Sequence, residues 1–140
     1  EKLFSILNEH NIEPEMHTSY IDSIFPYQKC KRVVYHVRSI RELPRINRHG
    51  QELVRVVMVI TQDFTPTYLL DVADYVYKSG EIDELSFRQM VNNKYETEYF
   101  CHDFLLKGHE YGLWHYIEQN DYNDYYVEGK IYKEYSKIGR

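Results

Sequence analysis

An acid and a lysine separated by one residue, Glu128 and Lys130, form the closest approach of this sequence to a catalytic motif. Many metal-dependent nucleases carry such a pair on a strand, where the acid binds magnesium and the lysine assists the attacking water. These sites also need a second carboxylate from a neighbouring strand, and Asp124 lies only four residues upstream. We therefore rank a small hydrolase or nuclease third among the functions that the sequence allows.

Cysteine and histidine side chains offer a second route to catalysis. The chain has two cysteines, Cys30 and Cys101, and seven histidines, and the partners of a nucleophile need not be adjacent in sequence. Glycine-rich phosphate loops and Gly-x-Ser-x-Gly elbows are absent. The sequence thus assigns no catalytic residue. Two cysteines so far apart also favour a reduced chain in the cytoplasm.

Metal-binding patterns are equally incomplete. The string "HEYGLWH" places His109 and His115 six residues apart, a spacing that does not bring them onto one helix face. The turn at Gly80 is similar to half of an EF-hand calcium loop, but Tyr75 and Ser86 occupy the places of two carboxylate ligands. The sequence predicts no metal and no cofactor.

Charge is distributed unevenly along the chain. The net charge is −5, yet the segment 29–55 has eight basic residues against two acidic ones, a local balance of +6. A basic hairpin there, with Tyr35 for stacking, would neutralise phosphates and hold an exposed base. Nucleic-acid binding is therefore the alternative function. Its predicted contact residues are Lys31, Arg32, Arg38, Arg41, Arg45 and Arg48.

The segment 120–135, "NDYNDYYVEGKIYKEY", combines five tyrosines with four acids in sixteen residues. Tyrosine supplies a large contact area at low entropic cost, which is why interface cores favour it. If the segment is helical, Val127, Ile131 and Tyr135 share one face and pack inward. The remaining residues predict a protein-binding surface, formed by Asp121, Tyr122, Asp124, Tyr125, Tyr126 and Tyr132.

Hydrophobic periodicity predicts the elements that position these residues. We expect a short helix over 1–12, a second through Ile24, two strands within 32–61 paired as an antiparallel hairpin, and the second of these strands to be central. Thr65 and Pro66 are typical of a helix start, with a stop at Ser79 and Gly80. A further helix is predicted from Asp83, running on to Gly108.

The fold class expected is therefore α+β, a single domain (1–140) with a small antiparallel sheet packed against several helices. The longest apolar run, Val56–Ile60, is five residues, far below the roughly twenty that span a bilayer, so we expect no membrane partner. The predicted function is that of a non-enzymatic intracellular adaptor, inhibitor or regulator. Its partner would be a protein, including a basic nucleic-acid-binding protein or a second copy of the chain.

Overall fold

The computed structural model describes residues 2–19, 21, 30–94, 96–117 and 125–132. Helical segments are α1 (Lys2–Glu9), a 3₁₀ helix (Ile40–Arg45), α2 (Pro66–Lys78) and α3 (His102–Glu110). The strands are β1 (Glu15–Thr18), β2 (Arg32–His36), β3 (Leu53–Ile60), β4 (Glu84–Val91), β5 (Thr97–Glu98), β6 (His115–Ile117), β7 (Tyr125–Val127) and β8 (Lys130–Tyr132). None of the helices in these ranges is long and apolar enough to cross a bilayer.

The main sheet is mostly parallel, and the prediction of a small antiparallel sheet was wrong. Strands β1, β2, β3, β4 and β6 run parallel in that spatial order, and β5 pairs antiparallel with the end of β4. The segment 32–61 is therefore not a hairpin, because Val33 lies beside Val54 and Tyr35 beside Val56 in parallel register. Residues 37–52 are long enough to cross back over the sheet, as a parallel connection requires.

The strand β3 lies between β2 and β4, which confirms its predicted central place. Val54, Val56, Met58 and Ile60 are buried on one of its faces and Val57 on the other. Near-continuous apolar sequence is typical of parallel strands that are covered on both sides. The same pattern that predicted a central strand was thus also the mark of a parallel sheet.

Every described connection between the parallel strands from β2 to β6 packs on the same face. A right-handed crossover that adds each strand on the same side of the last one places all connections on one side of the sheet. Tyr35, Val56 and Phe87 of the sheet form a core with Leu69 of α2 and Leu105 of α3. We call this side of the sheet the core face.

The helix α2 begins and ends as predicted. The Thr65 side chain accepts a hydrogen bond from the Tyr68 backbone N–H, and Pro66 occupies the first helical position. Ser79 is the C-cap, and its N–H donates to the Tyr75 carbonyl. Local capping chemistry decides this element without help from distant residues.

A single helix from Asp83 to Gly108 does not form. The chain makes β4, then β5, and only then α3. In β4 the residues Leu85, Phe87 and Gln89 are buried on the core face, with Arg88 between the last two on the opposite face. Apolar residues at 85, 87, 90 and 91 fit the helical period and the strand period, and parallel pairing with β3 selects the strand.

Asp83 ties the start of β4 to β3. Its backbone N–H donates to the Val54 carbonyl at 2.8 Å, and its carboxylate accepts from the Val54 N–H at 2.8 Å. The Arg48 guanidinium donates to the other carboxylate oxygen of Asp83. These contacts set the register of the two strands, so Asp83 has a structural task at the start of β4.

Gly108 lies inside α3 rather than at its end, since the helix continues to Glu110. The indole of Trp114 packs against it and donates from Nε1 to the Leu105 carbonyl at 2.9 Å. A Cβ atom on Gly108 would lie 2.0 Å from Cζ2 of Trp114, far inside van der Waals contact. Only glycine allows this close approach between α3 and the chain that leads into β6.

We predict that Gly108→Ala destabilises the protein by about 1–3 kcal/mol, because the methyl group forces the Trp114 ring out of its site. Urea unfolding followed by tryptophan fluorescence measures the loss. Gly80→Ala is the control, since no atom lies within 4 Å of a Cβ there and its backbone φ is not positive. Equal stability of the two variants would contradict the packing described.

Candidate functional site

The face of the main sheet opposite the core face carries most of its charged side chains. Strand alternation and parallel register place three arginines and three histidines there against two glutamates. We call this side the polar face. Its charged and histidine residues are Glu15, His17, Arg32, His36, Arg55, Glu84, Arg88 and His115.

The middle of the polar face is buried although it faces away from the hydrophobic core. Val34 is 1% exposed and Ser86 is 3% exposed, and neither belongs to the core cluster on the other side of the sheet. Val59, nearer the end of β3, is exposed. Charged groups beside the buried middle are partly removed from water, which strengthens their interactions with one another.

Two of the charged residues neutralise each other. Nε and Nη2 of Arg55 both lie 2.7 Å from Oε2 of Glu84, on neighbouring strands in direct register. Both side chains are about one-third exposed. This pair links β3 to β4 at the amino half of the polar face and leaves little charge there for a ligand.

A chain of three side chains runs from β1 to β2. Oε1 of Glu15 lies 2.9 Å from Nε2 of His17, and Nδ1 of His17 lies 3.3 Å from Nε2 of His36. Glu15 and His17 are two residues apart on β1, so both project from one face. His36 reaches the same place from β2, whose Val34 is the register partner of His17.

His36 sits in a surrounding that opposes its protonation. Burial lowers the pKa of His36 below the ordinary value, and the charges of His17 and Arg88 lower it further. Among the described residues, the ion pairs of the sheet do not include Arg88. Arg88 thus carries a positive charge that acts on His36 and that none of these described ion pairs offsets.

This region lies toward the carboxyl ends of the parallel strands. His36 is the last residue of β2, and Arg88 lies in the second half of β4. In open parallel sheets and in β/α barrels, ligands bind at that end of the strands because loops and side chains converge there. His36 and Arg88 thus lie toward the end of the strands at which such folds place their sites.

The basic segment 29–55 does not form one surface. Arg38, Arg41 and Arg45 are exposed in the crossover between β2 and β3. Lys31 pairs with Glu13 at 2.6 Å, and the hydrogen bond and the charge lower the pKa of Glu13 and raise the pKa of Lys31.

The other two predicted basic residues also lie apart. Arg32 begins β2 beside Glu15 on the polar face, and Arg48 is held by Asp83 at the start of β4. Of the six predicted nucleic-acid contacts, only Arg32 belongs to the polar face.

The predicted protein-binding surface is described only in part. Asp121, Tyr122 and Asp124 lie outside the described residues. Tyr125 and Tyr126 belong to β7 and Tyr132 to β8, with Tyr125 the register partner of Tyr132.

The segment 125–132 is a hairpin, so the condition for an inward-facing helical stripe is not met by Val127 and Ile131, and Tyr135 lies outside the described residues. Ile131, a member of that stripe, is 64% exposed. Glu128 and Gly129 form the turn with φ of 49° and 81°, the backbone of a two-residue hairpin turn. The acid of the acid-x-lysine pair therefore lies in a turn, whereas Lys130 lies on β8.

The cysteines are both free thiols. Cys30 is fully buried, and burial raises the pKa of its thiol, which opposes formation of a reactive thiolate. Cys101 is the N-cap residue of α3 with φ of 53°, and its Sγ contacts the Phe64 carbonyl at 3.5 Å. In the part of the chain that the structure describes, no three His, Cys, Asp or Glu side chains are grouped so that they could hold a metal ion.

A second polar cluster joins the ends of β4, α3 and β6. Nε2 of Gln89 donates to the Phe100 carbonyl and to the Tyr116 hydroxyl, at 2.9 and 3.1 Å. The Tyr116 hydroxyl also lies 2.9 Å from Nδ1 of His102. Gln89 is buried and its Oε1 accepts from the Phe100 N–H at 3.0 Å, so this cluster satisfies polar groups inside the fold.

Comparison with known proteins finds no protein family whose model matches this chain, and no curated protein or solved structure that is significantly similar to it. The sequence alone did not predict that these charged residues share one face of a sheet. The available signal was alternation: Glu15 with His17, Arg32 with His36, and Glu84 with Arg88 each lie an even number of residues apart. Without the parallel register, nothing places these pairs on one surface.

We predict that the free energy of unfolding falls as the pH is lowered from about 7.5 to about 5.5, with a contribution from His36. The pKa of His36 is lowered in the folded chain. As the pH falls, the unfolded chain therefore takes up this proton before the folded chain does, starting at about pH 6.5. Urea unfolding at both pH values should show a smaller fall in His36→Gln. Arg88→Gln should raise the pKa of His36 in NMR titrations, and an unchanged value would contradict the described proximity.

Proposed function

We propose that the protein binds an anionic ligand on the polar face, between His36 and Arg88. The observation that supports this proposal is the surplus of positive charge beside a partly buried region at the carboxyl ends of the strands. The carboxylates of the polar face are engaged elsewhere, Glu84 with Arg55 and Glu15 with His17. A ligand with a carboxylate or phosphate group would supply the missing negative charge.

Chemistry favours a small ligand with a planar or tetrahedral anionic group. A guanidinium offers paired N–H donors to a carboxylate or phosphate, and charge-assisted hydrogen bonds of this kind are the stronger ones.

We predict that inorganic phosphate or citrate perturbs the NMR signals of His36 and Arg88 at millimolar concentration or below. Arg88→Gln should weaken binding roughly tenfold or more, since a charge-assisted hydrogen bond is worth about 1.5–3 kcal/mol. Arg41→Gln, an exposed arginine of the 3₁₀ helix, is the matched control. Binding that is absent in the wild type, or equally weakened in both variants, would refute the assignment to this face.

A second candidate function is the capture of a macromolecular partner by the tyrosine-rich hairpin. The strands β7 and β8 form a two-stranded sheet of their own rather than an extension of the main sheet. An isolated hairpin is marginally stable in water, so a partner that covers it would stabilise it. The exposed Ile131 adds apolar area to this hairpin.

We predict that replacing Tyr125, Tyr126 and Tyr132 by serine removes a partner captured from the native host and leaves the main sheet folded. Tyr77→Ser on α2 is the control, because Tyr77 is 90% exposed and lies far from the hairpin in sequence. Circular dichroism checks the fold, and nuclease treatment separates a protein partner from a nucleic acid. Capture that survives the triple substitution would rule the hairpin out.

We also propose that the protein is located in the cytoplasm. Both cysteines are free thiols in the folded chain, which supports a reducing compartment. Thiol counting on protein isolated from its host checks this directly.

A further inference from the structure

We propose that His36 acts as a general base on the ligand of the polar face, with His17 and Glu15 as its positioning residues. The inference rests on the proposed anion-binding function and adds a reaction to it. The carboxylate, the two imidazoles and the arginine come from three strands, and none of them belongs to a motif in the sequence.

The carboxylate of Glu15 decides which ring nitrogens carry protons. An ionised carboxylate only accepts hydrogen bonds, so Nε2 of His17, 2.9 Å away, carries the hydrogen. In neutral His17 the lone pair is then on Nδ1, which accepts from Nε2–H of His36 at 3.3 Å. Neutral His36 is left with its lone pair on Nδ1, the nitrogen that is not used within the chain of three side chains.

The surroundings keep that lone pair available at neutral pH. Burial is the largest cause that lowers the pKa of His36, and the Arg88 charge lowers it further, so the imidazole is unprotonated where many histidines are partly charged. A general base must be unprotonated and within reach of the proton that it removes. Arg88 would hold the anionic group of the ligand on the same face.

The reaction that this arrangement fits is proton abstraction from a carbon next to a carbonyl. The C–H bond breaks, its electron pair stays on the ligand as an enolate, and the proton binds Nδ1 of His36. The enolate oxygen takes negative charge, which the Arg88 guanidinium stabilises. The ligand class is therefore a carboxylate that carries a carbonyl group with a neighbouring C–H, as in 2-oxo acids.

The chain of side chains then removes the positive charge from His36. His36 passes its Nε2 proton to Nδ1 of His17, which becomes the imidazolium beside the Glu15 carboxylate. The His17 side chain is 54% exposed, so it can return a solvent proton to the site by the same route. A cation is disfavoured on His36, whereas on His17 it would lie 2.9 Å from the Glu15 carboxylate, which gives the transfer its direction.

The first test measures the tautomers in the free protein by long-range ¹H–¹⁵N NMR of the histidine rings. Neutral His17 and neutral His36 should both carry their hydrogen on Nε2. Glu15→Gln, whose amide can donate to Nε2 of His17, should reverse both rings to the Nδ1–H form. A wild-type His36 that carries its hydrogen on Nδ1 would overturn the inference, whatever the ligand.

The second test follows deuterium incorporation from D₂O into C3 of 2-oxobutanoate by proton NMR. We expect exchange above the buffer rate, rising with pH through the pKa of His36. His36→Gln should lower the exchange rate roughly a hundredfold or more, the range attributed to a general base. His10→Gln, an exposed histidine that follows α1 and lies outside the sheet, should leave the rate unchanged.

The two proposals fail in different ways. Binding of 2-oxobutanoate that depends on Arg88, without exchange, would overturn the general base and leave the anion site standing. Absence of binding by phosphate, citrate and 2-oxobutanoate alike would overturn both. Exchange that is unaffected by His36→Gln would assign the base elsewhere.

Discussion

Successive crossovers between parallel strands, each adding a strand on the same side of the last one, constrain everything else in this structure. Because the described connections from β2 to β6 fall on one side, one face of the sheet receives the 3₁₀ helix, α2 and α3 and holds the apolar core. The opposite face receives none of these elements and carries the charged side chains. The separation of an apolar core face from a charged polar face therefore follows from the order in which the chain adds its strands. In other proteins, sheets built in this order close into barrels.

Electrostatic balance across the polar face explains why one part of it stands out. Arg55 neutralises Glu84, and Glu15 engages His17, so the carboxylates of the face are used in holding neighbouring strands and rings. Arg88 remains with its positive charge beside a neutral His36, and none of the described ion pairs gives Arg88 a carboxylate partner. Burial raises the free energy of a protonated His36. It therefore keeps the imidazole neutral, which is the state that the proposed general base requires.

Several residues that look like chemistry in the sequence are used by the fold instead. Asp83 and Arg48 join the start of β4 to β3, and Gly108 admits the Trp114 ring. Their tasks depend on partners that lie far away in sequence or that pack from another element. A residue type at a suggestive spacing is therefore weak evidence until its contacts are known, and the acid-x-lysine pair at a hairpin turn is a further case.

Local chemistry determined some elements of this protein completely. The Thr65 cap, Pro66 and the apolar spacing define α2, and β-branched runs define β2 and β3. Strand direction was decided only in the tertiary structure, because two apolar strands joined by residues 37–52 suit a hairpin or a crossover equally well. The site was decided there too. Glu15, His36 and Arg88 lie on one face through the register of separate parallel strands, and register depends on pairing energies between residues that no local pattern connects.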